Sequence, residues 1–314
     1  MGLTLEQQNK VDANLKMLDY LEGTGILSDN KKTLVNEFFV FIGSGGTGCK
    51  ALAHLKKEMK KQVHSDEVRK KTMFIAVDTA HNELDQYVRD GKFENSEIVK
   101  LPFLGVKESI NPSTMLPQFK KWVNPQLWYT VGGAANHAGA FDGTGAGAIR
   151  QCGRVMMAQE NAQLQLRDCF SAIQRKLAEV SGVNKLKVFF LTGVAGGTGS
   201  GTIIDLAYLT RYFIENLGIA GAAVTYNAYL FLPSASGGAQ TPGDATTGDR
   251  NAYAALKEID YYMTINLRNE KFSMDYGTPC TGARPIVNTN PIFDFCTLVE
   301  GVGAGAGLGV TFMT

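Results

Sequence analysis

Short apolar runs alternate along this chain with stretches whose apolar residues recur at helical spacing. EFFVFI at 37–42, TMFIAV at 72–77, LKVFFL at 186–191, AVTYNAYLFL at 223–232 and IFDFCTLV at 292–299 predict strands covered on both faces of a parallel sheet. Between them, Leu52, Leu55 and Met59 mark a helix over 49–62. Val155, Ala158, Ala162, Leu166, Cys169, Ile173 and Leu177 mark a long helix that opens at the glycines of 143–147 and reaches about residue 180. Further helices are predicted over 202–216 and 250–263. Leu5, Val11, Leu15, Leu18 and Leu21 predict an amphipathic helix at 5–22, stopped by Gly23 and Gly25. Residues 91–142, with four prolines and Trp122, Trp128 and Tyr129, read as loops and short helices lying over the domain. Strand and helix alternate throughout, so the fold class is α/β, with a right-handed crossover in the first βαβ unit.

Glycine is the compositional outlier. The 35 glycines are roughly 11 % of the chain against a usual share of about 7 %. They cluster at 43–48, 132–147, 193–201, 237–248 and 301–309, several directly after a predicted strand. Elsewhere composition mainly excludes. With 44 % hydrophobic and 19 % charged residues the chain is globular, and its net charge of +1 gives nucleic acid no bulk electrostatic attraction. Lys56, Lys57, Lys60 and Lys61, and Arg69, Lys70 and Lys71, read as solvated faces, with an acidic partner as the residual reading. Five cysteines and four histidines show no metal-ligand spacing, and unpaired cysteines fit a reducing compartment. A polar N-terminus without a signal segment, and the lack of any apolar run near 18 residues, lead to the expectation of a cytoplasmic protein without a membrane span.

Gly43-Ser44-Gly45-Gly46-Thr47-Gly48 is G-x-G-x-x-G between a strand and a helix. Glycine lets the backbone take positive φ and approach a phosphate, and the N–H groups opening the helix attract the anion. A dinucleotide-binding reading stays open, because Asp78 ends the second strand, although it lies farther on than the usual spacing of about 20 residues. A P-loop does not fit: Cys49 separates the last glycine from Lys50, and Ala51 replaces the Ser/Thr that would hold magnesium.

A second loop, Ala195-Gly196-Gly197-Thr198-Gly199-Ser200-Gly201, again joins a buried strand to a helix. Two such loops on one sheet suggest a polyphosphate held from two strands, with the Thr198 and Ser200 hydroxyls beside the backbone N–H groups. This heptapeptide resembles the tubulin signature, small-G-G-T-G-[Ser/Ala]-G, at every position, and resembles the fourth nucleotide loop of FtsZ and tubulin. In the same order, 42–48 resembles the first loop and 74–79 the second strand and loop. Gly143-Thr144-Gly145-Ala146-Gly147 resembles the third, γ-phosphate-sensing loop, and Asp249-Arg250-Asn251-Ala252 the place where the fifth approaches the ribose. The resemblance covers about 36–300 and is nearest in style to large bacterial tubulin-like proteins.

The resemblance implies a Rossmann-like, three-layer parallel sheet that binds GTP or GDP with Mg²⁺. It also implies hydrolysis of GTP and head-to-tail self-assembly into filaments. Gly43 through Gly48, Asp78, Gly145 through Gly147, Ala195 through Ser200, Asp249 and Asn251 are the candidate nucleotide-binding residues. The chain departs from the pattern at Lys50, Ala80 and Ala148, where the family has asparagine, aspartate and asparagine. Asp78 is a substitute candidate on the magnesium side, and Arg150 a possible phosphate partner. Residues 1–35 are expected to be an N-terminal helical extension and 36–300 the nucleotide-binding domain. The glycine-rich 301–314 holds neither the core helix nor the second domain of the family, as expected of a truncation or a divergent relative. The water-positioning carboxylate of the family comes from a neighbouring subunit, so no catalytic residue is assigned. A Rossmann oxidoreductase using NAD or FAD, and a nucleotide-free scaffold, are the rival readings.

Overall fold

The structure is a computed structural model. It describes residues 36–63, 66–103, 115, 117–123, 143–180, 182–216, 223–235, 242–276, 284–301 and 309–313. The helix expected at 5–22 lies outside them, as does Trp128.

Six parallel strands form the sheet: β1 (Glu37–Ser44), β2 (Thr72–Asp78), β3 (Ile98–Lys100), β4 (Lys185–Gly193), β5 (Ala223–Phe231) and β8 (Phe295–Glu300). Their order is β3-β2-β1-β4-β5-β8, closed at one edge by the antiparallel β9 (Gly309–Met313). A hairpin of β6 (Phe272–Met274) and β7 (Ile286–Asn288) stands apart.

The runs of β1, β2 and β4 are buried on both faces, whereas β5 is half-buried on one face and Phe295 of β8 is exposed; the side chains sort with the period of two that a strand imposes. Phe38, Val40 and Ile42 of β1 join one core, while Phe39 and Phe41 join the other. On the second face, the Phe41 ring stacks on Phe74 at 5.6 Å and on Phe189 at 5.0 Å, bracing β2, β1 and β4. That face is covered by α1 (Gly45–Gln62) and α3 (His81–Arg89), which supply Cys49, Leu52, Leu84 and Tyr87; the short α2 (Asp66–Lys70) leads into β2. The other face carries α5 (Arg150–Met157), α6 (Glu160–Glu179), α7 (Gly197–Asn216) and α8 (Pro242–Met263); α4 (Pro117–Lys120) precedes them in the chain. The result is three layers. Helix α7 is buried on almost every side. Tyr208 donates to Asn290 O at 3.2 Å and Arg211 to Pro291 O at 2.8 Å, pinning α7 to the segment before β8.

Several sequence expectations need correction. The helix expected to run from the 143–147 glycines to about 180 is two helices preceded by a loop. Gly143, Gly145, Gly147 and Ala148 all take positive φ, which a right-handed helix cannot contain. Gln159, extended at φ −72 and ψ 146, separates α5 from α6. Helices α1 and α7 begin inside their glycine loops, four or five residues before the expected starts, and α8 begins at Pro242, where a fixed φ suits the first turn. Strand β8 starts at Phe295, because Ile292 N–H still donates to Tyr262 O outside the sheet and Asp294 N–H is the first to reach a β5 carbonyl, that of Tyr226. The excursion at 91–142 hides β3, a full member of the sheet. Lys56 is not on a solvated face: it is buried, bonded to Glu97, and lies 5.4 Å from the Phe74 ring centre.

Candidate functional site

Parallel register brings the C-terminal ends of the central strands into one row. Ser44 lies opposite Val77 on one side and Thr192 on the other, and Thr192 lies opposite Leu230. Each strand then turns into a loop at the same sheet edge, where open α/β sheets bind ligands.

The first and second glycine loops touch. Gly45 opens α1 at φ +70, and a Cβ there would lie 2.8 Å from Gly199 N and 3.5 Å from Thr198 Cβ. A Cβ on Gly199 would lie 2.4 Å from Gly193 O, and one on Gly193 would lie 2.8 Å from Thr47 Cβ. These glycines are therefore required by backbone-to-backbone approach. Beneath the loops, Ser44 Oγ and Thr202 Oγ1 bond at 2.8 Å, and Thr192 Oγ1 donates to Ser44 O at 3.3 Å. Because the Ser44 hydroxyl is used inward, it does not cap α1. No acidic side chain stands in the first turn of α1 or α7. Two helix N-termini thus converge with their positive dipole ends and unspent N–H groups directed at one region.

The remaining loops are stitched to the same place. Thr79 Oγ1 and Thr198 Oγ1 bond at 2.6 Å. Ala80 bridges Thr144, and His81 N–H donates to Gly143 O at 2.9 Å. Gly197 approaches Ala146 and Ile149 so closely that a Cβ would lie 2.6 Å from Ile149 N. Asn251 donates through Nδ2 to Ala148 O at 2.8 Å and to Ala195 O at 2.9 Å, tying α8 to two loops at once. Gly43 to Gly48, Asp78, Gly145 to Gly147, Ala195 to Ser200 and Asn251 therefore form one cluster. Asp249, exposed two residues earlier, makes no hydrogen bond or ion pair with the loops among the described residues.

Side-chain roles differ from those read in the sequence. The Ser200 hydroxyl turns back to Gly196 O and is buried. The Arg150 guanidinium is held by Ser200 O of the second glycine loop and by Glu258 of α8, so its donors are already engaged within the protein. Asp78 is 4 % exposed, and its Oδ1 accepts the N–H of Thr79 at 2.7 Å and of Ala80 at 3.4 Å. Burial raises its pKa against these bonds, and the nearby Glu83 adds to the rise. Asp78 holds the turn into α3; it does not face outward. Cys49 is fully buried and directs its thiol at Gly43 O and Val77 O; burial, with Asp78 beside it, raises its pKa well above the usual thiol range.

One carboxylate was not found in the sequence reading. Glu83, exposed in the first turn of α3, has Oε2 3.9 Å from where a Cβ on Gly46 would stand. The helical spacing of Leu84, Tyr87 and Val88 was the signal that could have placed it on α3. Among the described residues, no three His, Cys, Asp or Glu side chains group to hold a metal ion, and no helix is long and apolar enough to cross a membrane.

No curated protein matches the chain significantly. Among solved structures, a GTPγS-bound protofilament of CetZ2 from Haloferax volcanii is 19 % identical, with 71 % of this chain and 46 % of that chain covered at a TM-score of 0.40. A GTPγS-form protofilament of TubZ from Bacillus thuringiensis serovar israelensis is 16 % identical, covering 74 % and 44 % at 0.37. An empty FtsZ dimer from M. jannaschii is 15 % identical, covering 81 % and 46 % at 0.36. The chain spans less than half the length of each of these proteins. A family model described as tubulin-like matches residues 40–301, and the chain belongs to that family.

Proposed function

We propose that the loop cluster binds a guanine nucleotide, and that the protein is a GTP-dependent cytoskeletal element that assembles head to tail. The observation that carries this reading is the contact between Gly45 and Gly199, which lets one polyphosphate touch both glycine loops and both helix N-termini. Backbone N–H groups of Gly45 to Thr47 and Gly197 to Gly199 would hold the α- and β-phosphates, and Gly145 to Gly147 would meet the γ-phosphate. Fixed donors of this kind contribute positioning and electrostatic stabilisation, the main levers of phosphoryl transfer.

A magnesium ion would neutralise phosphate charge. The residues suit an ion held chiefly by phosphate oxygens and water, as magnesium commonly is, with Glu83 as the exposed carboxylate at Gly46. Asp78 would act behind it, by fixing the turn that carries Thr79 and α3. The same burial argues against a dinucleotide reading, which needs an outward acid for a ribose. Hydrolysis would depend on a carboxylate from an adjacent subunit. The 36–300 region is proposed as the nucleotide-binding domain.

Titration with fluorescent GTP, ATP and NADH tests the reading, followed by sedimentation with GTP and with GDP. Saturable GTP binding and GTP-dependent pelleting are expected. Binding of NADH without GTP would overturn the reading, and no nucleotide binding would favour a tubulin-fold scaffold.

A further inference from the structure

On the outer face of the α1/α3 layer a trough of about 640 Å³ runs between the two helices. Its floor includes Ala53 and the edge of Tyr87, and one wall is a row of Lys50, His54, Lys57 and Lys60. Along α1 these cations follow each other at three- and four-residue spacing, so they stand on one stripe of the helix. All four are exposed, and none has an ion-pair or hydrogen-bond partner among the described residues. The neighbouring charges are already matched: Lys56 to Glu97, Lys61 to Glu58 at 2.7 Å, and Lys92 to Asp90 at 3.0 Å, the last over the Tyr87 ring. Like charges at this spacing repel, and Glu58, already bonded to Lys61, offsets His54 and Lys57 only through longer-range attraction.

We infer that this trough is a docking site for an acidic, extended protein segment. Charge selects an anionic partner. Shape selects a single chain: the trough is concave, whereas an anionic membrane would meet a flat or convex face, and among the described residues the exposed large apolar side chains lie elsewhere, at Tyr253, Leu267, Val287 and Phe295. Length agrees, because Lys50 to Lys60 spans roughly 15 Å of helix, the reach of about five extended residues. Acidic side chains along such a segment would pair with the lysine row while an apolar side chain covered Ala53 and Tyr87. A duplex nucleic acid would require a wider basic field than a chain of net charge +1 offers.

The test uses the full chain and a fluorescein-labelled peptide, Glu-Glu-Asp-Phe-Asp-Glu-Glu, followed by fluorescence anisotropy at low and moderate salt. Saturable binding that weakens with salt is expected. The double variant Lys57→Glu/Lys60→Glu is expected to bind roughly tenfold or more weakly. A Lys-Lys-Lys-Phe-Lys-Lys-Lys peptide should in turn bind that variant better than the wild type. Both lysines are exposed and lie outside the glycine loops, so GTP affinity should stay at the wild-type value, and melting temperature should shift only slightly. That separates failure here from failure of the nucleotide reading. No saturable binding up to about 1 mM peptide, equal binding by the variant, or tighter binding to phosphatidylserine vesicles or duplex DNA than to the peptide would each overturn the inference.

Discussion

Two adjacent glycines should respond to the same methyl group in opposite ways. Gly45→Ala places a side chain at φ +70, where a non-glycine residue costs about 1–2 kcal/mol. Its Cβ would also stand 2.8 Å from Gly199 N and 3.2 Å from Gly199 Cα, backbone atoms that move only with the whole loop. Such overpacking costs about 1–3 kcal/mol, while the stiffer unfolded chain returns about 0.4–1 kcal/mol. The net loss is about 2–4 kcal/mol, which at roughly 2 °C per kcal/mol for a chain of this size is a fall of roughly 4–8 °C in Tm. Gly46→Ala occupies a right-handed helical position whose nearest non-local atom is the Glu83 carboxylate at 3.9 Å, so its Tm should hold or rise slightly. Its methyl would nevertheless cover the N–H groups that the proposal assigns to phosphate, so GTP affinity should fall about tenfold or more without loss of stability. Differential scanning fluorimetry of the nucleotide-free proteins, paired with GTP titration, reads both effects. Equal melting of the two variants would refute the loop-to-loop contact on which the site depends.

Asn251→Ala removes both bonds that tie α8 to the third and fourth loops, and should lower stability by about 1–3 kcal/mol; hydrogen exchange at 145–149 and 195–197 should quicken, as mass spectrometry of the backbone amides will read. Asp78→Asn keeps the oxygen that caps Thr79 and Ala80 while removing a buried charge. Because the folded-state pKa is raised, wild-type stability is fully present below the unfolded value of 3.8 and declines as pH rises through the raised one; the variant should therefore melt higher than wild type at neutral pH and converge with it in acid. Cys49, Cys152, Cys169 and Cys296 are all buried, and burial pushes the thiols of the last three up to about 12, so a thiol reagent should modify these four only after unfolding in urea. Ala148, at φ 58, should gain up to about 1 kcal/mol on replacement by Asn, which tolerates that conformation; urea denaturation measures the gain.

Where burial is complete, the chain wrote its fold plainly. The runs of β1, β2 and β4 read as strands because side chains covered on both faces leave few polar positions to blur the pattern, while β5 and β8, open on one face, still carry enough apolar residues to be seen. Strand β3 was missed since three residues, Ile98–Lys100, cannot establish a period, and the hairpin of β6 and β7 escaped for the same reason. Helix starts were misplaced because glycine suggests a loop, whereas at Gly45–Gly48 and Gly197–Gly201 it serves a helix pressed against neighbouring backbone. The loops of the candidate site could be read as motifs, and their convergence follows from motif position at strand ends. The destinations of Ser44, Ser200, Arg150 and Lys56 could not be read, since a hydroxyl or a cation near a loop has several partners within reach and only packing chooses among them.

That choice has a consistent direction here. Ser44 bonds Thr202, Thr79 bonds Thr198, Thr192 bonds Ser44 O, and Asp78 caps its own turn, so polar side chains of the loop region spend their bonds on one another beneath the surface. What faces outward from α1 and α7 is largely backbone N–H, the donor a loop can hold most rigidly because it has no rotamers to order. A site made this way gives up side-chain chemistry and gains fixed geometry. It suits a ligand recognised by charge and shape, with the chemical step left to groups brought from elsewhere. Neighbouring copies of the chain are the natural source of such groups, and that links the bareness of the loops to the proposed assembly: a solitary subunit should bind GTP well and turn it over slowly, and the turnover rate per subunit should rise with protein concentration.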